Sequence, residues 1–254
     1  MIIKNEIPIL EFDNAKAAVI MPNHEKLGIK LPEKAVFAFL ESYVDEYAKE
    51  HKAKVISHFV NITKEYPIYV VEHQGEDICL VQAPMGAPAA VQILDWLFGY
   101  GVKKVISCGS CGVLVDIPEN AFLVPDKALR DEGTSYHYVA PSRYMEVNEL
   151  ALAGIEKALK KHQLPYRRVL TWTTDAFYRE TKELVSYRRE EGCQVVEMEC
   201  AALAACAKMR GAIWGQILFT ADSLANVEEH DMRNMGMDAY EYALELCMDA
   251  VLEL

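Results

Sequence analysis

Short apolar runs alternate along this chain with stretches in which apolar residues recur at helical spacing. The runs Ala17–Met21, Ala53–Phe59, Ile68–His73, Asp77–Gln82, Lys104–Cys108, Ala121–Pro125, Tyr166–Thr171, Val195–Met198 and Ala212–Thr220 read as strands. Most are too apolar to keep one face in water, which points to a sheet covered on both sides. Amphipathic spacing predicts helices over Glu33–His51, Ala87–Tyr100, Asn148–His162, Lys182–Gly192, Glu199–Met209 and Met235–Leu252, several closed by glycine or followed by proline. The alternation predicts an α/β fold, with a mostly parallel or mixed β-sheet flanked by helices. No repeat, low-complexity tract or Pro/Gly/Ser-rich linker marks a boundary, so residues 1–254 are expected to form a single domain.

Composition narrows the partners. With 26 basic against 38 acidic residues, the formal charge of −12 repels polyphosphate backbones and argues against nucleic acid. No apolar run approaches membrane-spanning length, and acids interrupt the N-terminal stretch where a signal peptide would be apolar. A cytoplasmic protein with no membrane partner is the expectation. Seven cysteines, an odd count without the spacing of a secreted framework, are expected to be reduced.

Six segments carry chemistry. Lys104–Leu114 is a strand running into a glycine-punctuated turn. Gly109 and Gly112 would let backbone N–H groups approach a ligand, with the Ser107 and Ser110 hydroxyls beside them. The Cys108-Gly-Ser-Cys111 spacing within it admits a redox or metal reading, but it lacks the helix that would lower a thiol pKa and a second ligand pair. A strand-to-helix turn at Ala83–Ala90, holding Gly86 and Pro88, is a second loop able to line a pocket.

Within Val195–Cys206, two acids, Glu197 and Glu199, interrupt an apolar run. Buried carboxylates need polar partners, and residues two apart on an extended segment share a face. Both could therefore accept hydrogen bonds from a sugar diol, although a carboxylate offsetting a helix dipole would look alike. Asp222 follows the strand through Thr220, where α/β folds place ligands and where an acid can hold a proton. Phe177 and Tyr178 offer aromatic faces for a base, while Arg130–Tyr138 is a polar loop in which His137 reads as a surface or packing residue.

In this order the segments resemble the nucleoside phosphorylase superfamily of the uridine phosphorylase and hexameric purine nucleoside phosphorylase type. The most specific likeness is Val-Glu-Met-Glu-Cys-Ala-Ala, with Thr-Ala-Asp-Ser about twenty residues on. The resemblance implies one α/β domain with a distorted mixed sheet, assembled as a homo-oligomer (dimer or hexamer) with sites at the interfaces. It implies that Glu199 holds the ribose hydroxyls, that Met198 packs beneath the sugar and that Glu197 belongs to the same strip. Phe177, Cys111 and Gly112 would meet the base, and Ser110, Gly109, Lys26 and Lys64 the phosphate. Asp222 matches the acid with which purine-type members protonate N7. Uridine-type members carry a glutamine and an arginine where Thr181 and Glu183 stand here, so purine is favoured.

The phosphate positions depart from the family. Its glycine and arginine after the first strand appear as Pro22 and Lys26, its neighbour-donated arginine as Lys64, and a further arginine as Ser107. Lysine lacks the planar fork that binds phosphate bidentately, so the site is weakened. A family histidine near the N-terminus is absent.

The sequence thus predicts a pentosyltransferase that cleaves a purine nucleoside with phosphate as co-substrate and no cofactor or metal. A hydrolytic nucleosidase is the alternative, with Glu25 the acid nearest the first predicted strand. A degenerate nucleoside-binding protein and a thiol oxidoreductase stand further off.

Overall fold

The computed structural model describes residues 2–254. Ten strands form one mixed sheet: β1 (Lys34–Ala38), β2 (Lys54–Val60), β3 (Glu65–His73), β4 (Glu76–Gln82), β5 (Lys104–Val113), β6 (Phe122–Asp131), β7 (Tyr144–Glu146), β8 (Tyr166–Thr174), β9 (Cys193–Glu197) and β10 (Ile213–Ser223). Six helices cover it: α1 (Tyr43–Glu50), α2 (Ala87–Gly99), α3 (Glu149–Lys161), α4 (Lys182–Glu190), α5 (Cys200–Arg210) and α6 (Tyr240–Leu252). The expected class, α/β with a distorted mixed sheet, is what the chain adopts. No helix among the described residues is long and apolar enough to cross a membrane.

The distortion has a definite form. The sheet order is β10-β6-β8-β9-β5-β1-β4-β3-β2, and β10 also pairs with β5. Five strands, β5, β10, β6, β8 and β9, therefore close into a ring, while β1, β4, β3 and β2 extend from β5 as an open flank. Along β5 the partner changes: Lys104–Cys108 lie beside β1, whereas Gly112 and Val113 lie beside β9. A crevice opens where one neighbour ends and the other begins, and such switch points are where α/β sheets bind ligands.

The N-terminal third corrects the sequence-based expectation. Ala17–Met21 forms no strand; it belongs to an irregular segment whose Pro22 rests on Gly99 at the end of α2. The first strand is β1, inside the stretch expected to be helical. Ala35 to Ala38 are wholly buried, as a fully covered strand requires, and the amphipathic helix begins only at Tyr43, burying Val44, Tyr47 and Ala48.

Away from the crevice, polar and reactive groups are tied down or hidden. All seven cysteines are buried and unpaired. On α6, the buried Asp249 carboxylate accepts hydrogen bonds from His73 (2.8 Å), His162 (2.8 Å), Lys161 (2.9 Å) and Gln74 (2.6 Å), tying α6 to the end of α3 and the turn after β3. Burial alone would raise this acid, but the hydrogen bonds from His73, Lys161 and His162 outweigh it and hold it well below the usual carboxylate range.

Candidate active site

The crevice is a cavity of about 790 Å³. Gly109, Ser110, Cys111 and Gly112 of β5 line one wall, Val196–Glu199 a second, and Asp222 with Leu224 a third. Phe177, Tyr178 and Glu180 stand on the short turn before α4, and Phe39, Glu41, Lys64, Tyr66 and Gln82 complete the flank side. Of the residues singled out from the sequence, Glu197, Met198, Glu199, Asp222, Phe177, Gly109, Ser110, Cys111, Gly112 and Lys64 are brought together here.

Glycine is needed at two points of this lining. Gly86, the residue before α2, has φ +96°, a conformation that side chains rarely adopt, and its N–H donates to Glu199 Oε1. At Gly112 a Cβ would lie 3.2 Å from Asp222 Oδ1 and 3.1 Å from Val196 Cγ1 and Leu224 Cδ1. Its absence lets β5 pass between the two acidic walls.

The paired acids play different parts. Glu197, at the end of β9, accepts from Thr173 Oγ1 (2.6 Å) and Thr171 Oγ1 (3.2 Å) on β8, and from the backbone N–H groups of Glu199 and Cys200 (both 2.7 Å). Its oxygens are saturated by protein, and it anchors the start of α5 as a capping acid does. Glu199 is met by backbone N–H groups alone, those of Gly86 and Met198, with no side chain donating to it. Burial, then the charge of Glu197, push its carboxyl up to about 8. An acid so placed retains free oxygens for hydroxyl groups in the cavity.

Asp222 faces the cavity from the end of β10. Its Oδ2 is 2.7 Å from His230 Nε2, and its other neighbours include Glu180 and Cys111. Burial, with Asp222 adding to it, raises the Glu180 carboxyl to about 7. Lys64 Nζ donates to Gln82 Oε1 (2.6 Å) and lies 4.9 Å from the centre of the Tyr66 ring. It is the one lysine or arginine among the described lining residues, against five carboxyl groups.

Several expectations are corrected. Lys26 does not line this cavity; it is exposed in the irregular segment before β1, so the loop after the first strand is Phe39–Glu41 rather than Pro22–Lys26. Glu25 is also outside the cavity and accepts from Trp96 Nε1 at 3.1 Å. Ser107 is fully buried and takes the Trp214 N–H at 3.0 Å, leaving Ser110 as the exposed hydroxyl of the glycine turn. Cys108 and Cys111 lie within β5, unpaired, and burial pushes the Cys111 thiol well up while its Sγ donates to the Phe219 carbonyl. A buried, protonated thiol is a poor nucleophile, which removes the support for thiol chemistry. Sequence reasoning also passed over Glu41, Glu180 and His230. Glu180 stands two residues after the aromatic pair, a readable signal; Glu41 lies within the stretch Glu33–His51 that reads as helix.

Residues 33–252 match the Phosphorylase superfamily, and the chain belongs to that family. It is thus an enzyme fold of the nucleoside phosphorylase, pentosyltransferase type that the motifs had suggested. Among curated relatives, the guanosine phosphorylase of Halorubrum lacusprofundi is 27% identical over 210 residues, covering 78% of this chain and 85% of that protein. A DeoD-type purine nucleoside phosphorylase of Bacillus cereus (strain ZK / E33L) is 24% identical over 189 residues, covering 71% and 78%. Solved structures share the fold: purine nucleoside phosphorylase from Toxoplasma gondii in complex with immucillin-H superposes with TM-score 0.75 at 18% identity, covering 88% of this chain and 92% of that one. AMP nucleosidase from Bacteroides thetaiotaomicron superposes with TM-score 0.69 at 22% identity, covering 87% and 88%.

Proposed function

We propose that the protein cleaves the N-glycosidic bond of a purine nucleoside by phosphorolysis, giving the free base and ribose 1-phosphate. The observation that carries the reading is the convergence of Glu199 and Asp222 on one cavity, across the gap left by Gly112. Glu199 accepts the ribose hydroxyls, and Met198 packs beneath the sugar. Phe177, 43% exposed at the mouth, stacks on the base. As the bond breaks, positive charge develops on the sugar and negative charge on the purine, which Asp222 neutralises at N7. Ser110, the Gly109 backbone and Lys64 hold phosphate against the anomeric carbon. The named activities of the halobacterial and bacillar relatives support a purine, and the first of them a 6-oxopurine such as guanosine.

In this reading the partners are small molecules, no resident cofactor takes part, and the chain works in the cytoplasm as a homo-oligomer whose neighbouring subunit borders the cavity. Exposed Tyr178 and Met232 at the mouth suit such a neighbour.

One observation favours hydrolysis as a second reading. Glu41, with φ +50° in the loop after β1, lines the same cavity as Lys64 and Ser110, where its carboxyl would serve as a base for water. A chromatographic assay of guanosine, inosine, adenosine and uridine, in phosphate and in phosphate-free buffer, tests both. Phosphorolysis gives ribose 1-phosphate only when phosphate is present; free ribose in either buffer establishes hydrolysis. Asp222→Asn is expected to lower kcat/KM on the preferred purine nucleoside by about 10²-fold or more.

A further inference from the structure

Asp222 has one charge-bearing hydrogen-bond partner, and it comes from a loop rather than from the sheet. After β10 the chain makes an excursion and returns: Ser223 N donates to Asp231 O (2.8 Å) and Asp231 N to Ser223 O (3.1 Å). This two-bond bridge sets residue 230 back against residue 222. The excursion is itself tied to α4, by Arg189 donating to the Ala225 carbonyl (3.1 Å) and by the Lys182–Glu228 ion pair. The result is a 2.7 Å contact between His230 Nε2 and Asp222 Oδ2, with the imidazole about half exposed and the carboxyl largely covered.

We propose that His230 is the positioning residue that reloads Asp222 with the proton it delivers to the departing purine, a role that rests on the purine-cleaving reading of the site. In the step, the electron pair of the C1′–N9 bond enters the purine as phosphate oxygen bonds to C1′. The proton on Asp222 passes to N7. The carboxylate left behind takes the proton of the His230 imidazolium from Nε2, and the neutral imidazole is reprotonated by water at the open side of the loop. One proton moves from solvent to base for each bond broken.

The surroundings explain why a relay is placed here. Asp222 is faced by the Glu180 carboxyl from the turn before α4, by the Cys111 thiol from β5 and by His230. Arg233 is paired with Asp231 and reaches the Ala221 carbonyl, not the Asp222 carboxylate. A carboxylate formed beside Glu180 needs a cation. Arginine or lysine would supply charge alone, whereas imidazole ordinarily changes protonation near neutral pH and supplies a proton as well.

A substrate that needs no proton separates this role from a structural one. In 7-methylguanosine N7 is already alkylated and cationic, so departure of the base requires no acid. Steady-state kinetics with guanosine and 7-methylguanosine should be compared for the wild type, His230→Gln and His230→Ala. For both variants the expected result is a loss of about 10²-fold in kcat on guanosine, with kcat on 7-methylguanosine within about 3-fold of wild type. Added imidazole should restore part of the guanosine activity of His230→Ala. Equal losses on the two nucleosides, or no loss on guanosine, would overturn the proposal; full activity on 7-methylguanosine shows that the variant is folded. A wild type inert toward both nucleosides overturns the purine reading, and the relay falls with it.

Discussion

Two covered carboxylates, Asp249 on α6 and Glu199 at the start of α5, are almost equally hidden, at 7% and 6% exposure, and are treated in opposite ways. Asp249 is surrounded by four donors, two of them histidines and one a lysine, and its acidity is strengthened. Glu199 has backbone N–H groups but no side-chain donor and a like charge beside it, and its acidity is weakened. Burying an acid without partners is costly, so a fold that tolerates it has a use for the free oxygens; burying one among cations is a clasp. The difference separates an acid kept for a ligand from an acid kept for the fold, although both look alike as charged letters in apolar runs.

The largest effect that would break this contrast is expected at Glu199. Glu199→Gln should lower kcat/KM on the preferred nucleoside by about 10²- to 10³-fold, with the melting temperature at neutral pH unchanged or raised. Its ionisation also gives the contrast a pH signature. Because the folded protein holds the Glu199 proton up to about 8 while the ordinary glutamate value is 4.5, the folded state binds more protons than the unfolded chain across that window. This group's contribution therefore makes stability fall as pH rises through the window, and denaturant titrations of Glu199→Gln should show a shallower decline. A variant that melts far below wild type would instead make Glu199 a structural acid.

Asp249→Asn should do the reverse. Breaking the clasp is expected to cost about 2–3 kcal/mol in denaturant unfolding, discounted for the partly exposed lysine and His162, with kcat/KM within about 2-fold of wild type. Asp249 is held below its ordinary value, so its stabilisation is present above that value and is lost as pH falls through the folded one; the variant should lack this acid-side loss. The smallest effect is expected at Glu180. Raised to about 7 by burial and Asp222, it should contribute a limb near that pH to kcat/KM, which Glu180→Gln removes while changing the plateau by less than about 10-fold.

The site was legible in the sequence where chemistry contradicted its surroundings. Glu197 and Glu199 stood out because two acids inside Val195–Cys206 had to be met by something polar, and the structure supplies Thr171 and Thr173 for one and an open cavity for the other. Their different partners were not legible, since the threonines lie on a parallel neighbour, Thr173 pairing with Glu197 across β8 and β9. Lys26 was misplaced because β1 runs into the amphipathic positions of α1 and the two merged into one apparent helix; the strand then had to be sought upstream. His230 was illegible for another reason. Its contact depends on a loop returning after eight residues, which no local periodicity announces.

The complete burial of the seven thiols has a consequence for handling the protein. Folded, it presents no sulfhydryl on its outer surface, and Cys111, the one thiol on the cavity wall, is 3% exposed with its acidity suppressed, so activity should survive mild treatment with oxidants or alkylating reagents. Heated past its transition, the same chain releases seven reactive groups at once, and cross-linking in the denatured ensemble competes with return to the native state. Recovery after thermal challenge is thus governed by the redox buffer in the tube, with a reductant deciding whether unfolding can be reversed.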